Sequence, residues 1–144
     1  MILIIDFGSQ TTHLIGRRLR QLGIEFEFGD PENALSILAS KKFKGIIFSG
    51  GPASVYGEGA PHINKKIFEF NLPILGICYG FQLISYLTNG EVKSAKKEYG
   101  PEDLKIENGK WKIEGIKEDE FSVYMSHGDS VTVLPEGFEV IAST

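Results

Sequence analysis

Four short apolar runs alternate with stretches of helical spacing up to residue 90, and that alternation restricts the fold more than any other feature of the chain. ILIID (2–6) predicts a buried strand. Residues 10–22 then predict a helix with Ile15, Leu19 and Leu22 on one face and Gly23 as its stop. IEFEF (24–28) predicts a second strand, and PENALSILAS (31–40) a short helix opening on Pro31. GIIFSGG (45–51) predicts a third strand; behind Pro61, Ile63, Ile67 and Phe70 recur at helical spacing. PILGI (73–77) predicts the fourth strand, with 81–87 as the helix after it. Strands separated by helices need crossover connections, so the expected fold class is α/β, a mainly parallel sheet flanked by helices on both faces. In such a sheet the chemistry gathers at the carboxyl ends of the strands.

The rhythm changes after Gly90. LKIENGKWKIEGI predicts a hairpin turning at Asn108-Gly109, with Leu104 and Ile106 facing Ile113 and Trp111 across it. The remainder, FSVYMSHGDSVTVLPEGFEVIAST, predicts two more extended segments around turns at Gly128 and Pro135. The C-terminal third is thus expected as an antiparallel extension of one domain covering 1–144. Its last run, FEVIAST, has a strand pattern with no closing helix or polar tail, so the expectation is a fragment of a longer domain.

Several function classes are disfavoured at once. A net charge of −4, with no basic cluster beyond KSAKK (93–97), argues against nucleic acid as the main ligand, because phosphate neutralisation needs a basic face. That one run reads as a solvated charged loop. The opening MILIIDFG is too short in its apolar part, and lacks the basic lead, for a signal peptide or membrane span. With a single cysteine no internal disulfide forms, which fits a reducing cytoplasm.

Four predicted strands run into something other than plain loop: DFGSQ (6–10), SGGPASV (49–55), GICYG (76–80) and MSHGD (125–129). The first three belong to the parallel sheet and should converge at one edge. Gly-x-Cys-x-Gly between a buried strand and a helix has the form of a nucleophile elbow, in which flanking glycines remove the Cβ atoms that would collide at a sharp turn. A lone cysteine is often no more than a small buried hydrophobe. The glycines and the strand-to-helix context favour a nucleophile instead, with the following helix expected to promote the thiolate of Cys78. The amide of Tyr79 is the expected oxyanion donor. A second donor is needed from another loop; SGGP reads either as a plain turn or as that loop, since Gly50 and Gly51 permit close backbone approach to a ligand. His13 and His62 read as surface residues, and spacing alone makes His127 the candidate base. Nothing matches metal-ligand spacing, a Walker loop or a dinucleotide fingerprint.

Taken together, DFGSQ, GIIFSGGPASV, GICYGFQ and MSHGD, in this order and at these separations, resemble the class I glutamine amidotransferases, and within them the GMP synthase branch. The resemblance covers essentially the whole chain and implies a flavodoxin-like α/β fold. Carried over residue by residue, it makes Cys78 the nucleophile that attacks the glutamine side-chain amide, and the amides of Gly51 and Tyr79 the oxyanion hole. Gln82 and the backbone of the turn at Ser126, Gly128 and Asp129 would hold the glutamine. It implies no cofactor in this domain. The ammonia would pass to an ATP pyrophosphatase domain or subunit, using ATP and Mg2+, that aminates XMP to GMP in the cytoplasm. One departure matters: the family's base is a His in a His-Pro-Glu motif, absent here, and the resemblance moves His127 from base to glutamine-pocket turn. The implied alternative is an amidotransferase-like module that binds or regulates without catalysing.

Overall fold

Leu3, Ile4 and Ile5 are consecutive and each wholly buried, which a strand achieves only with apolar layers against both of its faces. A computed structural model describes residues 1–107 and 119–144 of the chain. It divides into two units, Met1–Thr88 and Asn89–Thr144.

The first unit contains β1 (Ile2–Ile5), α1 (Thr12–Gln21), β2 (Phe26–Gly29), α2 (Ala34–Ser40), β3 (Gly45–Phe48), a 3-10 segment (Lys65–Phe70), β4 (Ile74–Gly76) and α3 (Tyr79–Leu87). All four strands are parallel, in the order β2-β1-β3-β4. The register aligns Gly29, Ile5, Phe48 and Gly76 in one row across the sheet. The loops after β1, β3 and β4 therefore leave the same edge side by side, which is the convergence expected from sequence.

Several elements depart from their expected limits for identifiable reasons. Leu22 lies past the end of α1 and is exposed. The face that α1 buries is marked instead by Thr12 and Gly16: a Cβ on Gly16 would stand 2.7 Å from the Phe26 ring and 2.8 Å from that of Phe28. Gly23 does end the helix, at φ +69°, with its amide donating to the carbonyl of Arg20. Pro31 opens a turn, and α2 begins only at Ala34, because Asn33 first folds back to accept a hydrogen bond from the Asp30 amide at 2.9 Å. The segment behind Pro61 is 3-10 and begins at Lys65, capped by Asn64, whose side chain accepts from the amide of Lys66. In α3 the helix begins at Tyr79, two residues before the expected 81, so that Cys78 becomes its N-cap.

The second unit is a three-stranded sheet of order β6-β5-β7, built from β5 (Glu91–Ile106), β6 (Glu120–Val133) and β7 (Ala142–Ser143). β5 and β6 are antiparallel, as the sequence predicts. The predicted turn at Asn108-Gly109 and its partners Trp111 and Ile113 lie outside the described residues; Leu104 pairs with Phe121. No turn forms at Gly128. β6 runs straight through it, and the register shifts between Ser94, paired with Asp129, and Glu98, paired with His127. An apolar alternation in FSVYM extends the strand into SHGD, so the glycine is accommodated inside a ladder instead of ending it.

The contact that locks α3 onto the sheet is at Gly80, where a Cβ would stand 2.5 Å from the carbonyl oxygen of Phe48 and 2.6 Å from its Cβ. Neither atom can withdraw without disturbing β3. Gly80→Ala is therefore expected to destabilise the fold by about 1–3 kcal/mol, the usual cost of overpacking. Urea unfolding of the two proteins measures this; an unchanged midpoint would show that α3 is free to shift.

Candidate active site

The chain reaches Cys78 through a bend that L-residues seldom adopt, at φ 47° and ψ −113°. Hydrogen bonds on either side hold the bend. The amide of Ile77 donates to the carbonyl of Phe48 at 3.0 Å, that of Gly80 to Ile77 at 2.9 Å, and that of Gln82 to Cys78 at 3.0 Å. The turn is tight enough that a Cβ on Gly76 would meet the Phe81 backbone at 2.7 Å. Both glycines of Gly-x-Cys-x-Gly are thus required by backbone packing, one against the helix and one against the strand.

Around this bend the three neighbouring loops meet. A Cβ on Gly50 would stand 3.7 Å from the Cβ of Cys78 and 3.8 Å from Ser9 Oγ, so the ends of β1, β3 and β4 share one small region. Gly51 is pressed against the first of these loops, a Cβ there falling 2.5 Å from the Phe7 carbonyl oxygen. Among the described residues, the amides of Gly51 and Tyr79 donate to no other group of the chain. Two uncommitted N–H groups on the loops bordering a thiol are what an oxyanion site is built from.

Supports lie beneath. Tyr79 is buried, its ring 5.5 Å from that of Phe7, which in turn is 5.3 Å from Phe48. The Tyr79 hydroxyl donates to the carbonyl of Pro61 at 2.9 Å, tying the bend to the loop after β3. Desolvation pushes that hydroxyl up to about 12. Ser49, wholly buried, accepts from the Phe7 amide at 2.9 Å and donates to the Gly50 carbonyl at 2.8 Å, joining two loops through one hydroxyl. In DFGSQ, Asp6 accepts from the Gly8 amide at 2.9 Å and from the Thr12 hydroxyl at 2.8 Å, which shapes the turn into α1. Sequence reading missed Ser49; the available signal was a polar residue closing an otherwise apolar strand.

Cys78 is exposed as a residue, and no side chain among the described residues hydrogen-bonds its sulfur. Protein packed around part of the side chain desolvates it and pushes the thiol above its ordinary value, the opposite direction to the promoted thiolate expected from the sequence.

Gln82 lies one turn along α3, buried, on the helix that carries the bend. Ser126, Gly128 and Asp129 are brought together in the second unit, as neighbouring positions along β6 and not as the expected turn. His127, between them, has its Nε2 3.1 Å from Glu98 Oε2. His13 and His62 are both exposed, with His62 Nε2 2.9 Å from the Val55 carbonyl. Among the described residues no helix is long and apolar enough to cross a membrane.

Comparison with known proteins agrees with this geometry. Residues 3–144 match the family described as glutamine amidotransferase class-I. The chain is 47% identical over 144 residues to a glutamine-hydrolysing GMP synthase of Brachyspira hyodysenteriae, covering 99% of this chain and 28% of that protein. It is 50% identical over 142 residues to the same enzyme of Aquifex aeolicus, covering 98% and 28%. Among solved structures, a protein described as a GMP synthase subunit from Thermoplasma acidophilum superposes with a TM-score of 0.83 at 31% identity, covering 99% of this chain and 72% of that one. The chain belongs to the class-I glutamine amidotransferase family, and it spans 28% of the length of these curated relatives.

Two pH effects are expected. A thiol held above its ordinary value near pH 8.5 is mostly protonated at neutrality, so the alkylation rate of Cys78 by iodoacetamide should climb about tenfold per pH unit through pH 8 without levelling. A plateau below pH 7 would mean that the helix amides dominate. For Tyr79, whose hydroxyl titrates near pH 10 when unfolded and at about 12 when folded, the stability it confers is present below pH 10 and is lost as pH rises through 12. Tyr79→Phe should flatten that alkaline loss in denaturation midpoints taken between these limits; an identical slope in both proteins would remove the assignment.

Proposed function

We propose that this chain is the glutamine-hydrolysing part of a GMP synthase. The observation that supports it most is the bend at Cys78, where a thiol held at positive φ stands beside Gly50 and before the amide of Tyr79, which, like that of Gly51, donates to nothing else among the described residues. In this reading the Cys78 sulfur attacks the side-chain carbonyl carbon of glutamine. The carbon becomes tetrahedral, and its negative oxygen lies between the amides of Gly51 and Tyr79, worth about 3–4 kcal/mol per donor in comparable sites. Collapse breaks the C–N bond, ammonia leaves with the proton it gains, and water hydrolyses the thioester to glutamate. Gln82 and the backbone of Ser126, Gly128 and Asp129 hold the amino-acid end of the substrate.

The thiol of Cys78 needs a proton acceptor, all the more because desolvation pushes it above its ordinary value. His-Pro-Glu, which the family uses for this, does not occur in the 144 residues. The ammonia would be consumed by an ATP pyrophosphatase domain or subunit that activates XMP with ATP and Mg2+ in the cytoplasm. The relatives are glutamine-hydrolysing GMP synthases of which this chain spans 28%, and that leaves room in them for a partner of this kind. A second reading, a module that binds glutamine or a partner without turnover, draws its support from the desolvation that raises the Cys78 thiol above its ordinary value.

Labelling separates the two. An electrophilic glutamine analogue is expected to modify Cys78 stoichiometrically and to leave Cys78→Ala untouched. Ammonia release from glutamine by the 144-residue chain alone should be slower by a factor of about 1,000 or more than in the protein carrying the His-Pro-Glu base, since members of such a triad act as a unit. Absence of labelling favours the binding module. Rapid, Cys78-dependent ammonia release by the short chain would show that another residue supplies the base.

A further inference from the structure

The second unit buries a carboxylate. Glu98 is 5% exposed, well below what an acid side chain tolerates without compensation. Its Oε2 lies 3.1 Å from His127 Nε2, and the hydroxyl of Thr144 lies 3.1 Å from each carboxylate oxygen. The imidazole is itself largely buried, and its Nδ1 is a buried atom with no hydrogen-bond partner among the described residues. Among the described residues, Glu98 is the side chain that hydrogen-bonds this ring, and the bond orients it.

The place of this link in the ladder gives it a purpose. His127 pairs with Glu98 at one end of the register shift that falls between Ser94 and Glu98, and Gly128 follows His127 on β6. On its other side, Gly128 is confined: a Cβ there would stand 3.3 Å from the Tyr99 hydroxyl. The Glu98–His127 bond thus crosses from β5 to β6 beside that register shift, between Ser126 and Gly128 on β6.

We propose that Glu98 and Thr144 are positioning residues that act through His127 to hold the backbone of Ser126, Gly128 and Asp129 in the pose that receives glutamine. This rests on the reading of those three residues as the substrate-holding segment. Glu98 fixes the imidazole, Thr144 fixes the carboxylate, and the main chain on either side of His127 inherits the constraint. None of the three needs to touch the reacting carboxamide.

The test measures, in the intact protein, how glutamine protects Cys78 from alkylation by iodoacetamide. Glu98→Ala should raise the glutamine concentration for half-protection by about tenfold or more, as expected for loss of a charge-assisted hydrogen bond, while the alkylation rate without glutamine stays within about twofold. Glu98→Gln, whose carbonyl still accepts from Nε2, should restore most of the protection, and Thr144→Val should give an intermediate loss. If Glu98→Ala does not fold by circular dichroism, the other two variants carry the comparison. Unchanged half-protection in the folded variants overturns the proposal, as does a parallel change in protection and in unprotected alkylation, which signals general loosening. Glutamine that fails to protect the unsubstituted protein removes the substrate reading and this inference together; protection that survives every substitution removes this inference alone.

Discussion

Backbone packed against backbone, with no room for a Cβ between, is the constraint on which the first unit depends. Gly80 lies against the carbonyl of Phe48, Gly76 against the amide of Phe81, and Gly51 against the carbonyl of Phe7. These three approaches bring the end of β4, the start of α3 and the loop after β3 together, with a Cβ on Gly50 falling 3.7 Å from that of Cys78. The strained φ of Cys78 follows from the same closeness, and the buried Phe7, Phe48 and Tyr79 rings supply the apolar contact that offsets it.

The polar groups near that bend are mostly joints. Ser49 bonds the first loop to the loop after β3, Asp6 shapes the turn into α1, and the Tyr79 hydroxyl reaches the Pro61 carbonyl. Each satisfies a buried or half-buried donor or acceptor that would otherwise destabilise a loop. The groups left without such a joint are the thiol of Cys78 and the amides of Gly51 and Tyr79, among the described residues. In the second unit the same division holds in mirror form, since the buried Glu98 carboxylate serves the pose of a neighbour.

How far the sequence could be read varied with the kind of signal. Parallel topology, the convergence of DFGSQ, SGGP and GICYG, and the elbow itself were legible, because each rests on local pattern: apolar runs, glycine spacing, strict alternation. The face of α1 was misjudged at Leu22, since a glycine at 16 that admits two aromatic rings leaves no hydrophobic mark. The strand through Gly128 was taken for a turn because glycine beside aspartate is a strong turn signature, and the register shift that accompanies it falls between Ser94 and Glu98 on the opposite strand. Glu98 carried no signal at all among the charges of KKEYGPED.

By itself, then, the sequence determined the α/β sheet, the order of its loops and the identity of the nucleophile candidate, because hydrophobic period and glycine placement act within a few residues of chain. Only the tertiary structure decided which charges are buried, which amides are left without acceptors, and that the thiol at Cys78 is pushed up and not down. Desolvation and hydrogen-bond satisfaction depend on neighbours brought from distant parts of the chain, and no local pattern encodes who those neighbours will be.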